Sequence, residues 1–472
     1  MEIEEEPIDV VIPVVTDELH SFMGKKLNEV PGKPFKARPV TISRLPAWIH
    51  QTDKELCEPK MVSLGPFHHG KESLRAMEEH KWSTLRDFLA RNKNVEFQVY
   101  LREMRLLEAQ ARECYSETVH MGSDDFVMML LLDGCFILEF FLKLEAGQSS
   151  DAALFAEWAQ LGIGSDLCLL ENQIPFFVIH KLLTIQGRCG ENCKGRLCPL
   201  LQLIYLVRSV SLDVFHFKPP QILCSEVHHF LHLYYSGVLP DIQLEREQSD
   251  SVTGKPFFHG LQFFPWSTVF SKLSGLFSHD KSSTDKTMFG DQINVPCVTE
   301  LYEAGVKFKR KTKPCDMFDI SFRNGILEMP HLMLFGNMKI FLWNMVAFEQ
   351  SRPAIREKNL SSYFALMNAL MNTEKDVAIL VRSDIIEHYH QNDEQAAKFF
   401  NQSGQISALN YKNHYFHGLF KDVKRYNEST WHKYRARLMH DYFSNPWSAI
   451  SVVAASILLI LTFVQTYYSA TK

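Results

Sequence analysis

Cysteine is sparse in this chain, net charge is nearly balanced, and the familiar catalytic signatures are missing. Ten cysteines among 472 residues do not suggest a disulfide scaffold. Several lie inside apolar runs, Cys135 in LLLDGCFILEF and Cys168 in DLCLLENQ, where a free thiol behaves as a small hydrophobe. A formal net charge of -5 is small for this length, so no whole-molecule attraction to nucleic acid is expected. There is no G-x-x-x-x-G-K-[ST] phosphate loop, no H-E-x-x-H zinc helix and no G-x-S-x-G nucleophile elbow. The glycine-rich GIGSD at Gly162 lacks a third glycine and a preceding strand, and it reads as a turn before a helix capped by Asp166. No internal period of about 20 to 50 residues repeats, which excludes a solenoid. The opening MEIEEEPIDV is acidic and has no apolar stretch behind a basic one, so no secretory signal is expected.

Hydrophobic residues make up 46% of the chain, and phenylalanine alone occurs 35 times, which implies an extensive core. Leu74, Met77, Leu85, Phe88 and Leu89 recur at helical spacing, as do Leu101, Met104, Leu107 and Ala111 in a helix expected over Val95 to Tyr115. DDFVMMLLLDGCFILEFFLKL is apolar on all sides. Its Asp133, Glu139 and Lys143 argue against a membrane span, so it reads as the central buried helix, with Glu139 and Lys143 four apart and able to pair. Pro175 opens another helix, PFFVIHKLL. FDISF, Asn324-Gly325 and ILEMP form the one clear β-hairpin signal. Helical patterns return in FLWNMVAFEQ, SSYFALMNALMN, EKDVAILVRSDII and EQAAKFFNQ.

The expected fold is therefore mainly α: one large helical domain with a small β-hairpin, followed by a single C-terminal transmembrane helix. Its divisions are a partly disordered lead-in over 1–38, the helical domain over 39–444 with a flexible Ser/Thr/Gly-rich insertion at about 239–295, and the anchor with a short tail over 445–472. From Trp447 to Tyr468 no charge occurs in 22 positions, about 33 Å of helix against about 30 Å of hydrocarbon. Trp447 at one end and Tyr467 and Tyr468 at the other match the aromatic belts of a bilayer. Lys433, Arg435 and Arg437 before the span, against Lys472 after it, place the large domain on the cytoplasmic side. The implied partner is the lipid bilayer; the choice between plasma membrane and endomembrane stays open.

Four clusters carry candidate chemistry. Cys189, Cys193 and Cys198 have a C-x₃-C-x₄-C spacing, an incomplete zinc set that Cys224 or His180 would have to finish; a free-thiol loop or local disulfide is the plainer reading. His68, His69, Glu78 and His80 would need the bend at Gly70 to converge, because Glu78 and His80 do not share a helical face; a turn with its imidazoles bonded to backbone is the plainer reading. Glu171, Asn172 and Gln173 precede a proline-initiated helix and suit the satisfaction of helix-end groups or a buried polar network. Lys307, Lys309, Arg310, Lys311 and Lys313 form a basic run, either a lipid-contacting patch or a solvated loop after a short strand.

The motifs VSLGPFHHGKESLRAMEEHKWSTLRDFL, MMLLLDGCFILEFF, DLCLLENQIPFFVIHKL, LYEAGVKFK, FDISFRNGILEMPHL, NMVAFEQ and HDYFSNPWSAISVVAA stand in this order and cover most of Ile42 to Tyr468. In them the chain resembles the plant family called domain of unknown function 247. The resemblance implies a plant source and a single C-terminal membrane helix. It implies no chemistry, since the family has none established; some grass members resemble male determinants of pollen self-incompatibility. The expected function is a non-enzymatic recognition or signalling protein with a protein partner and no cofactor. The alternative is an enzyme of unrecognised type centred on His68, His69, Glu78 or the Glu171–Asn172–Gln173 segment.

Overall fold

The computed structural model describes residues 17–29, 40–147, 156–189, 222, 224–239, 295–335, 338–352, 355, 357–389, 392–402, 409, 414–429, 434 and 446–470. The chain divides into two compact units, Met1–Val40 and Thr41–Lys472. In the first, α1 runs over Asp17–Glu29 with Leu19, Phe22, Met23 and Leu27 exposed.

The second unit begins with α2 (Ala47–Thr52) and a 3₁₀ turn (Lys54–Leu56). A further 3₁₀ turn (Glu72–Leu74) leads into α3 (Arg75–Ala90), then α4 (Phe97–Glu113) and α5 (Ser123–Glu145). After these come α6 (Glu157–Asp166), α7 (Phe176–Ile185), α8 (Phe230–Val238) and α9 (Val298–Glu303). Strands β1 (Lys307–Arg310), β2 (Ser321–Arg323), β3 (Ile326–Met329) and β4 (Leu332–Leu334) follow. The remaining elements are α10 (Met338–Ser351), α11 (Asn359–Leu370), α12 (Glu374–Arg382), β5 (Ile386–His388), α13 (Asp393–Asn401), α14 (His417–Glu428) and α15 (Pro446–Ala470).

Helix α5 is the axis of the packing. It is buried almost continuously from Phe126 to Lys143 and lies against α3, α4 and α7. Gly134 permits the approach of α7, because a β-carbon there would come within 2.5 Å of the Leu182 side chain. The expected pairing of Glu139 with Lys143 is not what the buried charges do. Glu139 instead takes both Nε and an Nη of Arg91, at 2.6 and 2.7 Å, while Lys143 reaches Asp87 at 2.6 Å. Partners beyond the helix win because a buried carboxylate gains more from a two-pronged guanidinium than from a single ammonium.

The hairpin forms at Asn324-Gly325, both with positive φ (52° and 74°), and joins β2 to β3 with Arg323 opposite Ile326. Strand β1 adds in parallel on the other side of β3. The basic run is thus itself a strand rather than a loop after one. Its charges are engaged: Lys309 with Glu328, Arg310 with Asp384 and Lys311 with Asp319. A second sheet, the parallel pair β4–β5, carries no sequence signal because each strand is three residues long.

The expected membrane span is corrected. Helix α15 exists, yet among the described residues no helix is long and apolar enough to cross a membrane. Ser456, Thr462, Gln465 and Thr466 interrupt the apolar run of this helix, and the two threonine hydroxyls turn back onto the carbonyls of Leu458 and Thr462. Of the expected belt residues Tyr467 is exposed, and the side chains of Trp447 and Tyr468 lie outside the described residues. The fold is mainly helical with small sheets. Residues 240–294 of the expected insertion also lie outside the described residues.

Gly325 packs beneath Tyr426, whose hydroxyl would stand 2.6 Å from an added β-carbon, and its φ of +74° already disfavours other residues. Gly325→Ala should therefore lower stability by about 1–3 kcal/mol, read as a shift of the denaturant midpoint, with the far-ultraviolet spectrum unchanged.

Candidate functional site

The candidate residues gather around an extended segment, 57–65, that links the first 3₁₀ turn to the His68–His69 bend. It has no strand neighbour, so its backbone N–H groups need side-chain acceptors. Asp166, the last residue of α6, accepts from Lys60, Met61 and Val62 at 2.9, 2.6 and 2.8 Å. The sequence reading of Asp166 as the cap of a following helix is corrected: residues 167–175 are turns and coil, and the carboxylate serves a segment a hundred positions away. GIGSD is likewise helix rather than turn, with Gly162 seated against Met61. Burial pushes the Asp166 carboxyl up to about 6, against the pull of its three N–H donors.

Asn172 continues the scaffold. Its Oδ1 accepts from Leu64 N–H at 2.7 Å, and its Nδ2 donates to the carbonyls of Val62 and Asp166. Gln173 donates to the carbonyls of Leu167 and Leu169 and accepts from Leu231 N–H. Gly65 lies so close to the Gln173 carbonyl, 2.3 Å from where a β-carbon would sit, that only glycine fits, and its φ is +77°. Its N–H donates to Asp133 at 2.7 Å. All three members of the Glu171–Asn172–Gln173 segment are buried, at 0–2% exposure.

Asp133 and Glu78 meet at a residue that sequence reasoning passed over. Lys81 is fully buried and donates to Asp133, Glu78 and the Ser63 carbonyl at 2.6, 2.6 and 2.5 Å. Burial opposes its charge, but the two carboxylates outweigh it and hold the ammonium above the ordinary lysine range. Burial first, and the Glu78 charge with it, lift the Asp133 carboxyl, and the Lys81 charge and Gly65 N–H pull against that lift. A signal was present: Lys81 falls on the face of α3 that also carries Met77, Thr84, Leu85 and Phe88.

Glu171 is the other hub. It accepts from Leu45 N–H at 2.7 Å and Arg44 at 3.2 Å, and it shares a proton with His50 at 2.7 Å. His68 Nε2 stands 3.8 Å from the same carboxylate. Burial and the Lys71 and Arg44 charges push His68 down to about 3, which keeps it neutral. Cys57 completes a set with His50 and Glu171 whose donor atoms all lie within 4.8 Å of one another. A thiol, an imidazole and a carboxylate suggest a cysteine nucleophile, but the environment opposes one. Cys57 is fully buried, and burial together with the Glu171, Asp53 and Glu58 charges pushes its thiol up to about 12, whereas a nucleophilic cysteine needs the reverse.

The remaining candidates are dispersed. His69 and His80 are half-buried, and Glu78 joins Lys81 rather than either histidine. The four residues do not converge at Gly70: His68 lies near Glu171, and Glu78 pairs with Lys81. Cys189 lies 3.4 Å from His180 Nε2, while Cys193 and Cys198 lie outside the described residues.

Next to Gln173, at the start of α8, His228 and His232 stack with ring centroids 4.7 Å apart, and Arg352 donates to His228. Burial first, then the neighbouring positive charges, push His228 down to about 4 and His232 to about 3.

Two predictions follow from these geometries. Lys81→Met should strand the Asp133 carboxylate and cost about 3–5 kcal/mol of stability, while Lys81→Met/Asp133→Leu should cost clearly less than the two single changes summed. Chemical denaturation of the four proteins checks it. His232 is neutral when folded and titrates near 6.5 when unfolded, so its contribution is complete above that pH and is lost as pH falls toward 3. His232→Gln should reduce the fall of unfolding free energy between pH 6 and 5 by about 1.4 kcal/mol per pH unit, measured against wild type under the same conditions.

Comparison with known proteins places this architecture. The model of a family described as a plant protein of unknown function, domain of unknown function 247, matches residues 42–461. UPF0481 protein At3g47200 of Arabidopsis thaliana is 27% identical, with 90% of this chain and 85% of the relative covered. Putative UPF0481 protein At3g02645 of the same plant is 24% identical, with 91% and 90% covered. No solved structure matches the chain. A match spanning nearly the whole body, from Ile42 in the segment beside Tyr115 to α15, shows that the chain belongs to the plant family of domain of unknown function 247.

Proposed function

We propose that this protein is a non-enzymatic recognition protein that acts by binding a protein partner. The observation that carries this reading is where the polar groups point. Asp133, Asp166, Glu171, Asn172 and Gln173, the residues best equipped for catalysis, are each 2% exposed or less and are bonded to backbone of the same chain. General acid–base chemistry requires such a group within reach of a substrate proton. The larger cavities, about 420 Å³ beside Arg105 and Asp124 and about 550 Å³ beside Glu103 and Lys181, are lined by none of these five residues.

The outer surface suits binding instead. Trp48, Trp82 and Trp158 are 41%, 51% and 65% exposed, and tryptophan is the side chain most enriched among residues that dominate interfaces. Some grass members of the family resemble self-incompatibility determinants, which supports a recognition role of this kind.

The test is proximity labelling in plant tissue with the wild-type chain and with a Trp48→Ala/Trp82→Ala/Trp158→Ala variant. The expected result is a reproducible protein set that the variant loses while its unfolding midpoint stays within about 1 kcal/mol of wild type, as for surface substitutions. An unchanged set in the variant, or a turnover activity that depends on His68 or Glu171, would overturn the reading.

A further inference from the structure

We propose that His50, Cys57, His68 and Glu171 form a structural site for one zinc ion, joining α2 and the adjoining 3₁₀ turn to the His68 bend and to the segment before α7. Three donors already converge: the nearest donor atoms of His50, Cys57 and Glu171 lie within 4.8 Å of one another. His68 lies beside this group and would have to turn toward it to complete the set. It is 2% exposed, its ring nitrogens make no side-chain hydrogen bond and touch only the Cys57 backbone, and its Nε2 is 3.8 Å from Glu171 Oε2. A buried imidazole so weakly answered is costly unless something else takes a lone pair.

The donor set selects the ion. Two imidazoles, a thiolate and a carboxylate suit tetrahedral zinc and disfavour calcium and magnesium, which take oxygen donors. Zinc ligand distances of about 2.0–2.3 Å put neighbouring donor atoms roughly 3.3–3.7 Å apart. The 3.8 Å His68–Glu171 separation must close slightly. The 2.7 Å His50–Glu171 hydrogen bond must open by under about 1 Å. Binding releases the Cys57 thiol proton to solvent and moves the His50 proton to Nδ1, so that thiolate, carboxylate and two neutral imidazoles balance the dication. His50, 29% exposed at its side chain, provides the route from solvent. Asp53 and Glu58 add negative charge around Cys57, and Arg44 keeps its second carboxylate, Glu117.

Metal content of the full chain, purified without chelators, should be about one zinc per chain. Replacement by cobalt(II) should produce a thiolate-to-cobalt absorption band, since only Cys57 supplies sulfur. Cys57→Ser should abolish that band, and His68→Gln should weaken zinc binding at least tenfold in competition with a chromophoric chelator. Far-ultraviolet circular dichroism reports whether each variant folds; where one does not, the wild-type stoichiometry and cobalt spectrum decide. A folded wild-type chain that takes up no zinc on titration would overturn the proposal. So would cobalt bound without a sulfur band, or a band that survives Cys57→Ser and disappears on substitution of Cys189.

Discussion

Residues 60–65 run from the surface into the interior with no strand beside them, and their N–H groups must find acceptors there. An orphaned buried N–H costs about 1–3 kcal/mol, so several in a row would be ruinous for a fold of ordinary stability. The acceptors are Asp166, Asn172 and Asp133, brought by the end of α6, the turn before α7 and the middle of α5. One irregular segment thus dictates where three separate parts of the chain sit. Asn344 of α10 extends the same logic to the second half: its Nδ2 donates to the Leu56 carbonyl and its Oδ1 accepts from Leu170 N–H.

Carboxylates used as backbone acceptors bring charge into the core, and that charge needs answering. Lys81 answers Asp133, and Arg44 with His50 answers Glu171. Asp166 has only N–H donors and an exposed Lys60 nearby, and burial outweighs them and lifts its carboxyl toward neutrality. Glu349 repeats the pattern in α10, where it accepts from Leu360 and Ser361 N–H and from the Tyr235 hydroxyl, fixing the start of α11.

Helices were legible in the sequence where one face is apolar over several turns, as in α3 and α4, or where the whole surface is apolar, as in α5. The hairpin was legible because Asn-Gly meets the positive φ that its turn demands. The short β4–β5 pair was not, since three residues cannot show alternation. Charges were read less well. Glu139 and Lys143 satisfy a local pairing rule, yet their partners are Arg91 and Asp87, set by the packing of α3 on α5. The architectural reading of Glu171, Asn172 and Gln173 agrees with their contacts, but His50, Cys57 and Lys81 joined them only through long-range folding; no local motif links position 50 or 57 to position 171. The 22-residue uncharged stretch from Trp447 was read as a span from its length and terminal aromatic residues, whereas among the described residues no helix is long and apolar enough to cross a membrane, and hydroxyl and amide side chains break the apolar run of α15.

Why such a core keeps so many polar groups is a question of specificity more than of stability. Phe136, Phe140, Phe141 and Phe230 meet in stacked and edge-to-face pairs at centroid distances of 5.2–6.1 Å and supply apolar contact that tolerates small shifts of one helix along another. A carboxylate accepting three successive N–H groups tolerates none: a slip of one residue in 60–62 leaves Asp166 facing the wrong atoms. Buried polar groups often cost stability relative to apolar replacements and can select one register in return. In this chain they fix the arm that carries His68, because Asp166, Asn172 and Asp133 each hold a different part of residues 60–65.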